Sequence, residues 1–323
     1  MLFYENLEEI IFHRHEMFDV DELIVLSGYV GPRIVGRLGE LPFRSSVIYG
    51  MYGSDGIKSS LHSSLNIINS QTQNTEILYS KLPVHSKCYI WRKNTNIVTA
   101  LVGSANFSVS GLSNPLKEML AETTYDTFNP LNTYLNIILG NCINCSDPTI
   151  EVWTPTRRSQ QTSIISAEQD VCNATLLSRG EVPTKSGLNW GLSNGHTSLG
   201  DAYIPIKIDY ILSNPNLFPP KQLTNRLNRE GKKSRQNDAV EFIWDDGKVM
   251  EGLLEGTQVI GNTIYPKQIC SSPRKNILGS YIRDRLGVSL SHLITRRDLE
   301  RYGRTDIQIS LQGEGIYYLD FSV

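Results

Sequence analysis

The sequence lacks the features that would anchor it in a membrane or cross-link it by disulfide bonds. None of its apolar runs approaches the roughly 20 residues that a membrane-spanning helix needs. It has five cysteines, an odd number that is typical of reduced thiols in a reducing compartment. The N-terminal residues show no cleavable signal pattern. We therefore expect a cytoplasmic protein with no membrane partner.

Several kinds of site are also missing. Cys142 and Cys145 form a lone Cys-x-x-Cys pair, and no second cysteine or histidine pair lies at zinc-ligand spacing. The sequence has no P-loop, and it has no carboxylate-and-lysine arrangement of the kind that holds catalytic metal ions. It therefore predicts no metal site, no cofactor and no ATPase activity in this chain.

Positive and negative charges nearly balance, because the formal net charge is only −2. The distribution along the chain is uneven. The first 170 residues carry 12 Lys+Arg and 17 Asp+Glu, whereas the remaining residues carry 19 and 16. A modestly basic C-terminal half is where contacts with phosphate groups are expected.

The residues that can carry chemistry are concentrated between positions 84 and 112. His85 and Lys87 are two residues apart, and this spacing puts both side chains on one face of a β-strand. A second apolar strand then runs into a Gly-Ser turn that contains Ser104, and Asn106 follows two residues later. We expect these four polar side chains to converge at two adjacent strand ends. A nucleophile beside neutral and cationic donors suits the chemistry of a phosphodiester.

This pattern resembles the His-x-Lys…Gly-Ser-x-Asn signature of the phospholipase D superfamily, whose smallest members are nucleases. The resemblance implies that His85 is the nucleophile and that Lys87, Ser104 and Asn106 hold the non-bridging oxygens. Superfamily members with two motif sets build one site from both, whereas this chain has one set. The resemblance therefore implies a homodimer whose sites meet at a two-fold axis. It also implies a phosphohistidine intermediate and no metal requirement.

One position departs from the superfamily pattern. The usual motif has an aspartate five residues after its lysine, and this sequence has Arg92 there. Nuclease members often use a glutamate that follows the asparagine instead. Glu118 is therefore the first candidate for the carboxylate that orients the imidazole, and Glu122 is the second.

The chain divides into three segments. Predicted strands and helices alternate over residues 1–150, a pattern typical of an α/β sandwich with a mixed sheet. Residues 151–180 are rich in serine, threonine, glutamine and asparagine and are predicted to be a linker. Over residues 181–323, short candidate strands separated by glycine, proline and Asp-Gly indicate a small β-barrel, which helical stretches at 278–288 and 295–303 interrupt.

The last segment resembles the B3-like DNA-recognition domain of the NgoFVII-type restriction endonucleases. The resemblance is carried by the order of SGLNWG, DAYIPI, LGSYIRDRLGV and YGRTDI, closing on YYLDFS. Enzymes of this type place a phospholipase D-like nuclease domain ahead of the recognition domain, the same order as predicted here. The implied architecture is a phospholipase D-like α/β sandwich followed by a B3-like β-barrel, and the implied partner is double-stranded DNA.

In the B3-like fold two loops, or arms, grip the major groove, and the resemblance places them at 189–197 and 267–276. Arginine and lysine can read guanine, and asparagine and glutamine can read adenine. A basic loop near position 233 is suited to phosphate contacts, and Trp190 can equally be a packing residue. The residues predicted to contact DNA are Asn189, Trp190, Asn194, His196, Lys232, Lys233, Arg235, Lys267, Gln268, Arg274, Lys275 and Asn276.

The sequence thus predicts a type II-like restriction endonuclease that cuts double-stranded DNA at a short site. Two alternatives stay open: a less specific nuclease of the same superfamily, and a DNA-binding protein whose nuclease site is inactive or regulated. Relatives of the NgoFVII type can act with a separate ATP-dependent helicase-like protein. Such an ATPase would be another chain, and the target sequence cannot be read from these residues.

Overall fold

The computed structural model describes residues 1–153, 171–193, 195–221 and 237–323. Within these ranges, no helix is long and apolar enough to cross a membrane. Some residues predicted to contact DNA lie outside the described ranges, namely Asn194, Lys232, Lys233 and Arg235.

The chain forms two compact units, which are described separately. The first comprises Met1–Thr162 together with Gln312–Ile316, and the second comprises Ser163–Leu311 together with Tyr317–Val323. The predicted mixed α/β architecture is confirmed, with a mixed sheet in the first unit and a barrel-like sheet in the second.

The first unit is built on an eight-stranded sheet with the strand order β1-β8-β7-β6-β2-β3-β5-β9. Strands β2, β3 and β5 are parallel, and the remaining pairs are antiparallel. A separate two-stranded pair joins β4 to β10. The strands are β1 (Leu2–Phe3), β2 (Glu22–Ser27), β3 (Arg44–Tyr49), β4 (Ile57–Lys58), β5 (Thr75–Ser80), β6 (Lys87–Lys93), β7 (Asn96–Gly103), β8 (Leu120–Glu122), β9 (Cys142–Asn144) and β10 (Val152–Trp153).

Helices cover this sheet because its central strands are apolar on both faces. In β2, Ile24 and Leu26 pack into a core that includes Leu135 and Ile138 of α6, while Leu23 and Val25 are buried as well. A continuous apolar run of this kind forms a strand only when both faces are covered. The helices are α1 (Leu7–His13), α2 (Pro32–Arg37), α3 (Tyr52–Asp55), α4 (Ser59–Gln71), α5 (Val109–Ser113) and α6 (Phe128–Leu139).

The second unit is built on a nearly closed, barrel-like sheet with the strand order β11-β18-β19-β13-β14-β17-β12. Its core contains the large side chains of Phe242, Trp244, Tyr317 and Phe321, all buried. The elements are β11 (Val171–Thr175), β12 (Ile204–Pro205), α7 (Ile208–Ser213), β13 (Asp238–Trp244), β14 (Val249–Glu255), β15 (Gln258–Ile260), β16 (Thr263–Tyr265), β17 (Gln268–Ser271), α8 (Asn276–Leu286), α9 (Arg296–Tyr302), β18 (Asp306–Gly313) and β19 (Ile316–Asp320).

Two strands of the second unit lie in segments for which the sequence predicted no strand. Val171–Thr175, part of the predicted linker, pairs with β18 as a strand. Gln268–Ser271, part of the predicted second arm, is a strand between β14 and β12 in the sheet. Both runs are short and partly polar, so their sequence alone carries no clear alternation. Pairing with longer neighbours supplies the hydrogen bonds that make them strands.

Candidate active site

The β6–β7 hairpin brings the two halves of the motif together. Lys87 is the first residue of β6, and its register partner in β7 is Gly103, which begins the Gly-Ser turn. A Cβ atom on Gly103 would lie 2.1 Å from the backbone oxygen of Met119, so only glycine lets β7 and β8 approach this closely. The start of the Gly-Ser turn is therefore set opposite Lys87 by backbone pairing.

The ammonium of Lys87 is held against the imidazole of His85. Lys87 Nζ lies 3.1 Å from both ring nitrogens of His85 and 2.6 Å from the His85 carbonyl oxygen. A neutral imidazole has one acceptor nitrogen, so only one ring contact is a hydrogen bond at a time. His85 is exposed, whereas Lys87 is buried. Burial lowers the pKa of the Lys87 ammonium, and the nearby carboxylates of Glu314 and Glu118 oppose that shift.

Asn106 is buried, and its carboxamide has a defined orientation. Its Oδ1 accepts a hydrogen bond from the backbone N–H of Tyr29 at 3.1 Å. Its Nδ2 donates to the carboxylate of Glu314 at 3.2 Å, and Glu314 belongs to the segment Gln312–Ile316 of the same unit. The amide end of Asn106 is thus the end that meets an anion.

Ser104 stands at the exposed end of the turn. Its Oγ accepts a hydrogen bond from the backbone N–H of Met119 at 3.1 Å, and its own N–H donates to Met119 O at 3.0 Å. The Oγ contact uses a lone pair and leaves the hydroxyl proton able to donate to another group.

Three of the predicted site residues converge around Gly28, at the end of β2. A Cβ built on Gly28 would lie 2.8 Å from Cδ2 of His85 and 3.5 Å from Oδ1 of Asn106. The imidazole and the carboxamide therefore flank one point, and Lys87 adjoins the imidazole. The sequence predicted four polar side chains at this place, and the structure brings three of them together: an imidazole, an ammonium and a carboxamide.

The two candidate carboxylates have different environments. Glu118 is half-buried just before β8, and its charge acts on Lys87. Glu122 instead forms an ion pair with the buried guanidinium of Arg14, which also donates to Thr99. A carboxylate that neutralises a buried cation is needed for the stability of the fold. Glu118 is therefore the better placed of the two.

Arg92, which occupies the position of the superfamily's aspartate, is also a structural residue. It is buried in β6, and its Nε lies 3.1 Å from a carboxylate oxygen of Glu22 in the neighbouring strand. The substitution thus builds an ion pair within the sheet.

Sequence reasoning missed Ser27, the last residue of β2, and Tyr29, in the turn that follows it, which both contact the motif. Ser27 Oγ accepts a hydrogen bond from the N–H of Phe107, the residue after Asn106, at 2.9 Å. The only signal in the sequence is a serine and a glycine at the end of an apolar strand, which is common to many sheets.

The first predicted DNA-contacting arm requires a correction. Asn189 has no exposed surface, and its carboxamide donates to Pro183 O and Ile294 O and accepts from Ile294 N. A side chain that satisfies backbone groups in the interior cannot reach a base edge in this conformation, so Asn189 is a structural residue. His196 is exposed, and Trp190 is half-buried against Tyr203.

In the second arm, some side chains are held by contacts within the protein and others are exposed. Gln268 and Lys275 both contact the buried carboxylate of Glu255, and Lys275 Nζ also lies 4.7 Å from the ring of Trp190. Asn276 is half-buried as the first residue of α8. Lys267 and Arg274 are exposed.

Within the described residues, no group of three or more His, Cys, Asp or Glu side chains is arranged to hold a metal ion. Cys142 and Cys145 are free thiols, and the Cys142 thiol donates to the carbonyl oxygen of Ile138.

Comparison with known families assigns both units. The family model described as the NgoFVII restriction endonuclease N-terminal PLD domain matches residues 5–152. The family model of the NgoFVII C-terminal B3-like DNA-binding domain matches residues 164–312. Fold and site together define a phospholipase D-superfamily phosphodiesterase joined to a DNA-binding domain. The chain belongs to the NgoFVII family of restriction endonucleases. The predicted family and enzyme class are confirmed, and DNA is its partner.

The chain also has a distant similarity to solved structures. NucT from Helicobacter pylori is 16% identical over 45% of this chain and 97% of its own, with a TM-score of 0.34. Nuc from Salmonella typhimurium, a phospholipase D family member, is 12% identical over 43% of this chain and 87% of its own, with a TM-score of 0.32. A comparison with curated protein sequences gives no match.

Proposed function

We propose that this restriction endonuclease cuts double-stranded DNA at a short sequence through a covalent phosphohistidine at His85. The reaction needs no metal ion and takes place in a homodimer. The single observation that supports this best is the Lys87 ammonium against the His85 imidazole, beside the inward-facing Asn106 carboxamide. A nucleophile and its charge-stabilising donors are thus held at one point on paired strands.

In the first step a ring nitrogen of His85 attacks the phosphorus atom. The P–N bond forms while the P–O bond to the leaving nucleoside breaks, and the leaving oxygen takes a proton from the partner subunit's His85. Negative charge grows on the non-bridging oxygens. Lys87, Ser104 and Asn106 donate to those oxygens.

In the second step a water molecule attacks the phosphohistidine. The partner subunit's His85 takes a proton from that water, the new P–O bond forms, and the P–N bond to His85 breaks. The free enzyme and the second DNA end result. The ammonium and the imidazoles supply the positive charge and proton transfers that metal-dependent nucleases obtain from Mg²⁺.

A homodimer follows from the need for two histidines, one as nucleophile and one as acid and base. The chain has one His-x-Lys…Gly-Ser-x-Asn set. A two-fold axis would place two copies of that set around a single phosphodiester, because an isologous interface repeats the same patch on both subunits.

Incubating the purified protein with plasmid and bacterial genomic DNA in EDTA tests the proposal. Discrete fragments are the expected result. A smear would favour the less specific nuclease, and binding without cleavage would favour the inactive or regulated DNA-binding protein. If cleavage requires added Mg²⁺, the metal-free mechanism is wrong.

Substitutions at Glu118 and Glu122 should affect different properties, the cleavage rate for the first and the stability of the fold for the second. We expect Glu118→Gln to lower the cleavage rate about 10²-fold with little change in thermal stability, because its charge acts on Lys87, whose ammonium contacts the imidazole. We expect Glu122→Gln to cost about 3 kcal/mol of unfolding free energy, because it leaves the buried Arg14 without its counter-charge. Cleavage rates and thermal melts on both variants check this, and the reverse pattern would exchange the two assignments.

The exposed residues of the second arm are proposed to read DNA. Arg274→Ala should weaken binding to the cleaved sequence by about 1–3 kcal/mol, since an arginine on a guanine edge contributes roughly this much. Arg297→Ala, at an exposed arginine in α9 of the same unit, is the matched control and should bind normally. Equal losses in both variants, or none in either, would argue against a reading role for Arg274.

Two further points belong to this proposal. We place the enzyme in the cytoplasm, where its substrate DNA lies and where its five free thiols would stay reduced. A separate ATP-dependent helicase-like protein is a further candidate partner. Addition of cell extract with and without ATP to the cleavage assay tests for it.

A further inference from the structure

We propose that Ser27, Gly28 and Tyr29, at the end of β2, form a positioning segment. This segment sets the orientation of the Asn106 carboxamide and the position of the His85 ring. This inference rests on the proposed function, in which those two side chains act on the phosphodiester. None of the three belongs to the His-x-Lys…Gly-Ser-x-Asn pattern. They reach the site because β2 lies next to β6 in the sheet.

Ser27 joins two backbone segments beneath the site. Its side chain is fully buried, its Oγ donates to Tyr29 O at 2.6 Å, and the same Oγ accepts from Phe107 N at 2.9 Å. A hydroxyl has one proton, so the 3.4 Å contact from Ser27 Oγ to Asn106 Oδ1 is secondary. The hydroxyl therefore ties the end of β2 to the peptide that follows Asn106.

The backbone of Tyr29 then selects one orientation of the Asn106 carboxamide. The Tyr29 N–H donates to Oδ1 at 3.1 Å. Rotating the amide by 180° would put an NH₂ group against that N–H, two donors facing each other. Nδ2 is consequently the end turned towards an anion, as its contact with the Glu314 carboxylate illustrates.

Gly28 provides the space in which the His85 ring sits. A Cβ at this position would lie 2.8 Å from His85 Cδ2 and 3.4 Å from His85 Cα, too close for an unshifted ring. The ring of Tyr29 meets the imidazole edge-on, with centroids 5.9 Å apart, and its hydroxyl donates to Asp55 at 2.8 Å. The imidazole is thus confined from two sides.

The segment is itself fixed by backbone hydrogen bonds on both sides. Gly50 N donates to Ser27 O at 2.8 Å, and Met51 N donates to Gly28 O at 3.1 Å. Gly31 N donates to Phe107 O at 2.9 Å. A side chain held by such a segment keeps its position when DNA arrives, which is the condition for preorganised catalysis.

Two variants with matched controls test the proposal. Ser27→Ala should slow single-turnover cleavage about tenfold, with DNA affinity changed by less than about twofold. Ser80→Ala is its control, because Ser80 is fully buried and donates to the carbonyl two residues ahead at 2.8 Å. Both variants should lower the melting temperature similarly, and only the first should lower the rate.

Gly28→Ala should slow cleavage about 10²-fold, since displacing a reacting group by about 1 Å has effects of this size. Gly36→Ala in α2 is its control, because a Cβ there would meet nothing within 4 Å. A Gly28→Ala protein that keeps wild-type rates would overturn the role assigned to this glycine.

A double-mutant cycle distinguishes positioning from a general loss of structure. If Ser27 acts through Asn106, adding Ser27→Ala to Asn106→Ala should change the residual rate by less than about twofold. A further tenfold loss in that background, or an unchanged rate for Ser27→Ala alone, overturns the proposal. If Asn106→Ala itself cleaves normally, the proposed function of Asn106 fails too, so the two failures are distinguishable.

Discussion

The variant His85→Ala should abolish DNA cleavage, by at least about 10⁴-fold, while binding DNA as tightly as the wild type. The loss is large because the imidazole forms the covalent bond and no neighbouring group can replace it. The fold should be unaffected, since the His85 side chain is exposed. Fragment yield measures the first effect and a gel mobility shift measures the second.

His13→Ala is the matched control for this experiment. His13 is an exposed histidine of the same unit, paired with Glu9 and Glu16, and its removal should leave the cleavage rate unchanged. A His85→Ala protein that still cuts within tenfold of the wild type would contradict the proposed nucleophile.

Mixed dimers extend the same prediction to the assembly. If every site uses the histidine of both subunits, mixing wild-type and His85→Ala chains should reduce activity with the square of the wild-type fraction. A linear decrease would mean that one subunit suffices. In that case the acid and base must be another group of the same chain.

The variant Lys87→Met should show the second largest effect, a fall of about 10³-fold in the cleavage rate. Removing one preorganised donor to a developing negative charge has effects of this size. Methionine fills a similar volume, so the buried position should tolerate it. Lys87→Arg should not restore the rate, because a planar guanidinium cannot take the place of a compact ammonium 3.1 Å from the imidazole.

Lys93→Met provides the control, at the other end of the same strand. Lys93 is half-buried and pairs with the exposed Asp19 at 2.8 Å, so its loss should change neither the cleavage rate nor the melting temperature measurably. Comparable rate losses in the two variants would show that charge in general matters, and would remove the special role of Lys87.

The core of the site could be predicted from sequence because it is local. Lys87 begins β6, His85 lies two residues before it, and the β6–β7 hairpin brings Asn106 back to the same place. Antiparallel pairing within one hairpin is what brings these residues together. The contribution of β2 could not be predicted this way, because a sequence does not state which distant strand lies next to β6.

Contacts between distant segments also explain why the sequence could not choose between Glu118 and Glu122, and why the prediction for Asn189 in the first arm was wrong. Glu122 is committed by Arg14, whose position in the sequence gives no sign of that contact. Asn189 has the residue type that reads adenine, but its carboxamide satisfies backbone groups in the interior of the second unit. Residue type predicts what a side chain can bind, and only the fold determines what it does bind.

The most direct test of the mechanism is to trap the intermediate. Cleavage of end-labelled DNA is stopped during turnover with alkaline denaturant, and the covalent protein–DNA product is digested and mapped by mass spectrometry. The phosphohistidine mechanism predicts an alkali-stable, acid-labile phosphoramidate on the peptide that contains His85, and none in His85→Ala. Efficient cleavage with no covalent product, or with a product on another residue, would contradict it.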